Sequence, residues 1–503
     1  MKIKTGLLLL VMLPLACFCQ RITYSVPEND DSRSVDFEVI GKVNNNFLVY
    51  KNIRNRFAVS VYDNDMKLKE RVPLDFIPEK TINVDFIAYP DFAYIIYQYQ
   101  RRSILRCMAA KIDGNGHKIG EPVELDTTFI NVFADNKIYS TINSEDKQQV
   151  MIYKIQKKND RFFFTTILFN AQLGLLHKSR LIMPYDDRKD IFSDFLVDNE
   201  GNFVFTKSTK VSARDLIDKA SMVTKAPLSD DFESNDINLD NNFLDEVKLK
   251  IDNVNKHYIL SSYYYKQKHG NIDGLYTGIW DKNSRKQLAA HSFLFTDAQK
   301  QEAKTDGSTK IAFNDFFIRQ IILKKDGGFI LTGEDYYTQS HSSPWNRMDY
   351  LYGYPYMSSY DYYLYSPSGY WYNYRPRSFS GNGQTRYYYE NISVMNVDKD
   401  GNLLWSNVIR KSQYDDDTDN FLSFAIMNEG GELHYLFNEL ERRYQLIDDQ
   451  TITPDGKITR NPTLKSLDKG YEFMPRFAKQ VSAKQIIVPC TFRNYICFAK
   501  IDY

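Results

Sequence analysis

The chain has 503 residues, with 64 Lys plus Arg against 64 Asp plus Glu, so its formal net charge is zero. That balance removes the electrostatic basis for binding nucleic acid or an anionic membrane surface. With 37 tyrosines and 33 phenylalanines, the composition favours strands over helices.

Lys2 and Lys4 precede an apolar run from Leu7 to Leu15 that is too short to stay in a bilayer as a helix. With the small residues that follow, residues 1–19 read as a signal peptide, cut after Cys17-Phe18-Cys19 so that the mature chain begins at Gln20. The alternative is a partial lipobox, Leu15-Ala16-Cys17, with a lipid anchor on Cys17, although Pro14 stands where an aliphatic residue is usual. Either cut predicts an exported protein, in the periplasm or on the cell surface. No later segment is long and apolar enough for a transmembrane helix.

From Val35 onward a four-strand unit recurs. Its turns between third and fourth strands fall at Asn64, Asn115, Asn170, Asn283, Asp400 and Asp455, about 55 residues apart or twice that. Turns between first and second strands fall at Asn44-Asn45-Asn46, Asn199-Glu200-Gly201, Asp326-Gly327 and Gly430-Gly431. Unit starts are expected near Val35, Thr81, Thr127, Asp190, Phe243, Asn314, Asn420 and Tyr471. The last unit ends after three strands, and Arg21 to Val26 reads as a strand without a hairpin partner. Pairing the two would close a ring and cover an open sheet edge. The expectation is therefore all-β: one β-propeller of four-stranded antiparallel blades over residues 20–503, eight in number, or seven if the fourth unit is miscounted. That unit is irregular, because Val211 to Thr224 reads as helix-like and Ser229 to Asp245 as a solvated acidic loop.

Between the second and third strands of the sixth unit lies an insertion, residues 338–386, with Trp345, Trp371 and eleven tyrosines among Ser, Gly, Pro and Asn. A loop of this length is normally functional or disordered, and Tyr with Ser, Gly and Asn is the mixture of evolved binding loops. In a propeller such loops share a face with the links between blades, around the channel mouth. Trp345, Tyr350, Tyr354, Tyr363, Trp371 and Tyr372 are the candidate ligand-binding residues, for a protein or glycan of the cell envelope. The plain alternative is that the insertion packs over its own blade.

No reaction is legible. The seven histidines form no metal-ligand spacing, and CxxC, HExxH, GxSxG and P-loop motifs are missing, so no cofactor, metal or catalytic residue is assigned. The acids between blades, Asp186, Asp187 and Asp190, and Asp415 to Asp417 with Asp419, leave open a glycan-cleaving pair at the channel mouth. A structural envelope component is the third reading. Trp405, after the Gly401 turn, reads as a core anchor. Near the C-terminus, a two-residue turn at Arg493-Asn494 would set Cys490 opposite Cys497 at a Cα separation of roughly 5.5 Å, a candidate disulfide; the alternative is two core thiols.

Lys325-Asp326-Gly327-Gly328-Phe329-Ile330-Leu331-Thr332-Gly333 and Asn396-Val397-Asp398-Lys399-Asp400-Gly401-Asn402-Leu403-Leu404-Trp405, with a Tyr-rich insertion between them, resemble blades of uncharacterised exported β-propeller proteins of Bacteroidota. The resemblance covers the sixth unit well and the others loosely. It implies export and fold, and no activity.

Overall fold

Alternating apolar and polar residues between Gly-, Asn- and Asp-centred turns fold into antiparallel meanders. The computed structural model describes residues 20–28, 30, 32, 35–130, 137–158, 161–186, 188–212, 215–304, 308–340, 344–352, 385–416, 418–441, 444–462 and 470–503. Among them the strands fall into eight successive groups, spanning 35–73, 81–129, 139–184, 190–236, 243–294, 316–409, 424–460 and 471–502, most of four strands, the fifth with five and the last completed by Arg21–Tyr24. The fourth and fifth merge into one nine-stranded sheet, because Phe243–Leu244 pairs with both Ile217–Lys225 and His257–Tyr265.

The turns share a local cause. Asp198 Oδ1 accepts the backbone N–H groups of Glu200 and Asn202, each at 2.9 Å, and Gly201 takes φ +88°. Asp398 does the same for Asp400 and Asn402 at 3.0 and 2.7 Å, with Gly401 at φ +87°. The carboxylate fixes the bend, and glycine supplies a left-handed residue without Cβ strain.

The apolar residues lie between the units rather than within them. Ile40, Val59 and Ile95 join units one and two, and Phe164, Phe192 and Phe205 join three and four. The last such cluster joins the eighth unit to the first, through Phe37, Val49, Met474 and Phe498. Each fully buried Phe or Ile contributes about 1.5–3 kcal/mol, so every unit depends on both neighbours. The ring is closed by hydrogen bonding between strands from the two ends of the sequence: Arg21–Tyr24 pairs antiparallel with Tyr495–Asp502, Arg21 opposite Asp502. The chain is a β-propeller closed by its N-terminal strand.

Three local expectations are corrected. The third unit starts at Tyr139, not Thr127, because Lys118–Phe129 is one twelve-residue strand ending the second. Ile217–Lys225 is a strand rather than part of a helix, since Phe203–Lys210 offers it a full ladder. The stretch after Ser229 is not all loop: Glu233–Asp236 pairs with Ile217–Lys225 as a fourth strand.

Candidate ligand-binding face

The sixth unit carries an arm beyond its sheet. Phe329–Ser340 and Thr385–Val397 stay paired past the end of the first strand, from Tyr336 opposite Tyr389 to Ser340 opposite Thr385. Gln413–Asp415 adds a third strand, with Tyr414 opposite Tyr388 and Gln413 opposite Tyr389. Successive side chains point to opposite faces, so the arm has two aromatic sides.

One side faces the end of the ring. Tyr336 and Tyr389 are buried with Phe317 of the same unit, Ile191 of the fourth and Leu422 at the start of the seventh. The short helix Arg347–Tyr352 lies on this cluster and buries Leu351 and Tyr352 in it. Trp345 and Tyr350 are half-buried at its edge. Trp345 packs edge-on against Tyr336, centroids 5.3 Å apart, and its Nε1 donates to Asp315 at 2.8 Å. Tyr350 lies 4.6 Å from Phe317.

Buried charges pin this cap to several units. Arg347 holds Asp245 of the fifth unit, Nε to Oδ2 at 2.9 Å, and the Tyr352 hydroxyl donates to the Asp245 carbonyl. Arg319 donates to the Tyr350 hydroxyl at 3.1 Å and faces Glu334 at 3.3 Å. Glu334 in turn takes Lys411 at 2.8 Å and the Ser423 hydroxyl at 2.9 Å. Asp419 accepts from Tyr389 at 2.9 Å and from Arg476 of the eighth unit at 3.3 Å. Burial works against the Asp419 carboxylate, but Arg476 and the Tyr389 hydroxyl outweigh it and hold its pKa below the ordinary value. For Asp335 the balance is reversed, and the lowering effect of Lys304 and Lys411 is outweighed. Burial, with Asp315 and Glu390 nearby, pushes it up to about 8, and its Oδ1 has no hydrogen-bond partner among the described residues.

The other side of the arm is more open. Tyr337, Tyr388 and Tyr414 form a row across its three strands. Tyr337 and Tyr388 stack at 4.6 Å with planes 11° apart, and Tyr388 and Tyr414 stand 6.2 Å apart at 38°. Tyr414 is 61% exposed. The Arg386 guanidinium lies 5.0 Å over its ring and pairs with Asp416. Gln339 accepts from the Tyr388 hydroxyl at 3.0 Å, and Tyr337 donates to Glu390 at 3.4 Å. The row is an aromatic strip with polar edges, suited to stacking against sugar rings or to packing apolar side chains.

Of the residues singled out in the sequence, Trp345 and Tyr350 are thus part of the cap, while Tyr354, Tyr363, Trp371 and Tyr372 lie outside the described residues. The row was not singled out: Tyr337 and Tyr414 fall outside 338–386 and Tyr388 just beyond it, and the available signal was the clusters Tyr336-Tyr337 and Tyr387-Tyr388-Tyr389. Of the acids between blades, Asp187 and Asp417 also lie outside the described residues. Asp190 pairs with Lys207 at 3.0 Å, Asp416 with Arg386 and Asp419 with Arg476. Asp186 Oδ1 takes the Arg188 N–H, and Asp415 Oδ1 that of Thr418.

Among the described residues no group of three His, Cys, Asp or Glu is arranged to hold a metal ion, and no helix is long and apolar enough to cross a membrane. Trp405 packs on the Gly456 turn of the next unit and donates from Nε1 to the Pro454 carbonyl at 3.2 Å. In the last hairpin Cys490 stands opposite Cys497; both are buried thiols with sulfurs 3.0 Å apart.

No protein-family model matches the chain, and no curated protein matches it. Solved structures do. One is the apo form of prolyl oligopeptidase B from Galerina marginata, 7% identical, TM-score 0.41, covering 92% of this chain and 56% of that one. Another is the β-propeller domain of the Trilobed protease from Pyrococcus furiosus, described as having an open velcro topology, 6% identical, TM-score 0.37, covering 84% of this chain and 95% of that one. A third is a PL25 ulvan lyase, 9% identical, TM-score 0.36, covering 82% and 90%. This chain spans little more than half the length of the prolyl oligopeptidases it matches. The sheet pairing and the cores between units, not these likenesses, establish the propeller.

Proposed function

We propose that this protein is an exported propeller of the cell envelope that acts as a binding module for a protein or glycan, through the face that carries the Tyr-rich insertion. The observation that carries the reading is the row of Tyr337, Tyr388 and Tyr414 on an arm whose other side is locked to the ring. A partner meets preset aromatic faces and loses little side-chain freedom of the protein, which favours affinity. Of the acids between blades, Asp416 and Asp419 are already paired with arginines, which weighs against their acting as a glycan-cleaving pair. The test is a glycan array and an affinity pulldown from envelope extract with the mature chain and the Tyr337→Ala/Tyr388→Ala/Tyr414→Ala variant, after both are shown to fold. A ligand retained by the first and lost by the second supports the reading. Equal retention, or none by either, removes it.

A further inference from the structure

On a different part of the ring, units two and three flank an open crevice of about 660 Å³, within the range of pockets for small ligands. One wall is the end of Lys118–Phe129. The other is the sheet face of Gln149–Lys158, Arg161–Asn170 and Leu175–Pro184. Pairing explains the convergence: Lys154 stands opposite Thr165 and Thr165 opposite Arg180, so Lys154 and Arg180 project from one face.

The charges there are unequal. Lys154, Lys178 and Arg180 face a single carboxylate, Asp126. Asp126 already serves both lysines, Oδ2 to Lys154 and Oδ1 to Lys178, each at 2.7 Å. Lys154 is buried and also donates to Thr128 Oγ1 at 2.7 Å. Among the described residues no further carboxylate lines the crevice to neutralise Arg180. Its guanidinium lies 5.0 Å over the Phe163 ring, which orients the plane. Neither Arg180 nor the Gln156 amide has a hydrogen-bond partner among the described residues. At the rim Phe129 is 69% exposed.

We infer that this crevice is a binding site for an acidic saccharide, whose carboxylate or sulfate takes the Arg180 fork with support from Lys178. A guanidinium can donate two parallel hydrogen bonds to a carboxylate or a sulfate, and stacking on the Phe163 ring sets the direction of that fork. Gln156 supplies a donor and an acceptor for ring hydroxyls, and the exposed Phe129 ring offers a stacking face. The buried Lys154–Asp126 pair forms the floor, and the exposed Lys178 and Arg180 place the surplus charge at the opening. This site is separate from the tyrosine row and does not depend on it.

The experiment is calorimetric titration of the mature chain with oligogalacturonate, a sulfated chondroitin disaccharide, neutral maltotriose and poly-glutamate. Saturable binding of one or both acidic sugars is expected, weakening with added salt, with maltotriose silent. Arg180→Ala, at an exposed position, should weaken it about tenfold or more with an unchanged melting curve, and Lys178→Ala should weaken it as well, with Asp126 still paired to Lys154. Tyr414→Ala should leave it unchanged, which separates this site from the arm. Binding of neither acidic sugar, binding indifferent to Arg180→Ala, or equal binding of poly-glutamate overturns the inference.

Discussion

Ile22 stands directly opposite Ile501, so the strand nearest the start of the described chain is held by its last strand. Tyr24, two residues on, stacks on Tyr471 at 4.3 Å. The segment that follows then crosses to the first unit, where Glu28 and Asp30 both bind the fully buried Lys51, at 2.7 and 3.0 Å. Closure of the ring is therefore hydrogen-bonded, apolar and ionic at once.

Removing residues 20–30 exposes the edge of Tyr495–Asp502 and leaves the Lys51 ammonium buried without its two carboxylates. A buried ion stripped of its partner costs about 3–5 kcal/mol, and an open edge invites pairing with other chains. The truncated protein should melt well below the chain that keeps these residues and aggregate in a concentration-dependent way, read by scanning calorimetry and light scattering. Adding Lys51→Met to the truncation should recover part of the lost stability; no recovery would show that the ion pair is not the cause.

The Arg347–Asp245 pair joins the cap to the fifth unit, and both side chains are buried. Arg347→Ala should cost about 3–5 kcal/mol, because the Asp245 carboxylate loses its partner in a dry site. The double change Arg347→Met/Asp245→Asn should lose much less. Thermal melts of the three proteins decide this. Limited proteolysis should in addition cut the single variant within Arg347–Tyr352 sooner than the parent.

Asp335 makes stability depend on pH with a definite sign. Its pKa is raised from 3.8 to about 8, chiefly by burial. Between those values the folded protein keeps a proton that the unfolded chain has released, so this group stabilises at low pH and its contribution is lost as pH rises toward 8. Glu38, raised from 4.5 to about 7 by burial, acts in the same sense. Asp335→Asn should flatten the fall in melting temperature across that window and exceed the parent in stability at the alkaline end. An unchanged pH slope would refute the assignment.

Cys490 and Cys497 invite oxidation. The turn Arg493-Asn494 has φ +51° and +68°, the left-handed pair of a two-residue hairpin, which sets the register that brings the sulfurs to 3.0 Å. Burial raises the Cys490 thiol pKa well above its ordinary value, so reaction should be slow in the folded state. Diamide, a two-electron oxidant, should convert the two thiols to one disulfide with loss of two protons, giving a loop-closing bond that raises the melting temperature. Alkylation of the denatured protein followed by peptide mass spectrometry should then find Cys107 labelled and the other two linked. Two labelled cysteines after prolonged oxidation would count against the pairing.

Much of the architecture was readable because its causes are local. Asp198 and Asp398 bend the chain through their own neighbours two and four residues on, so their turns show in the sequence as Asp-x-x-Gly. The errors arose where neighbours in space decide. Residues from Ile217 to Thr224 carry a pattern compatible with helix until the edge of Phe203–Lys210 pairs with them. The start of the third unit was misplaced because nothing local marks where Lys118–Phe129 ends.

By itself, then, the sequence determined an all-β repeat, its turns, the free N-terminal strand and the place of the Tyr-rich insertion, since period-2 patterning and turn chemistry act within a few residues. Only the tertiary structure decided what those parts do to one another. Tyr337, Tyr388 and Tyr414 become a row through pairing of three strands, and Arg347 meets Asp245 across more than a hundred residues of chain. The crevice holding Arg180 exists only because two units pack side by side. Such contacts depend on register and packing between distant segments, which no local pattern encodes.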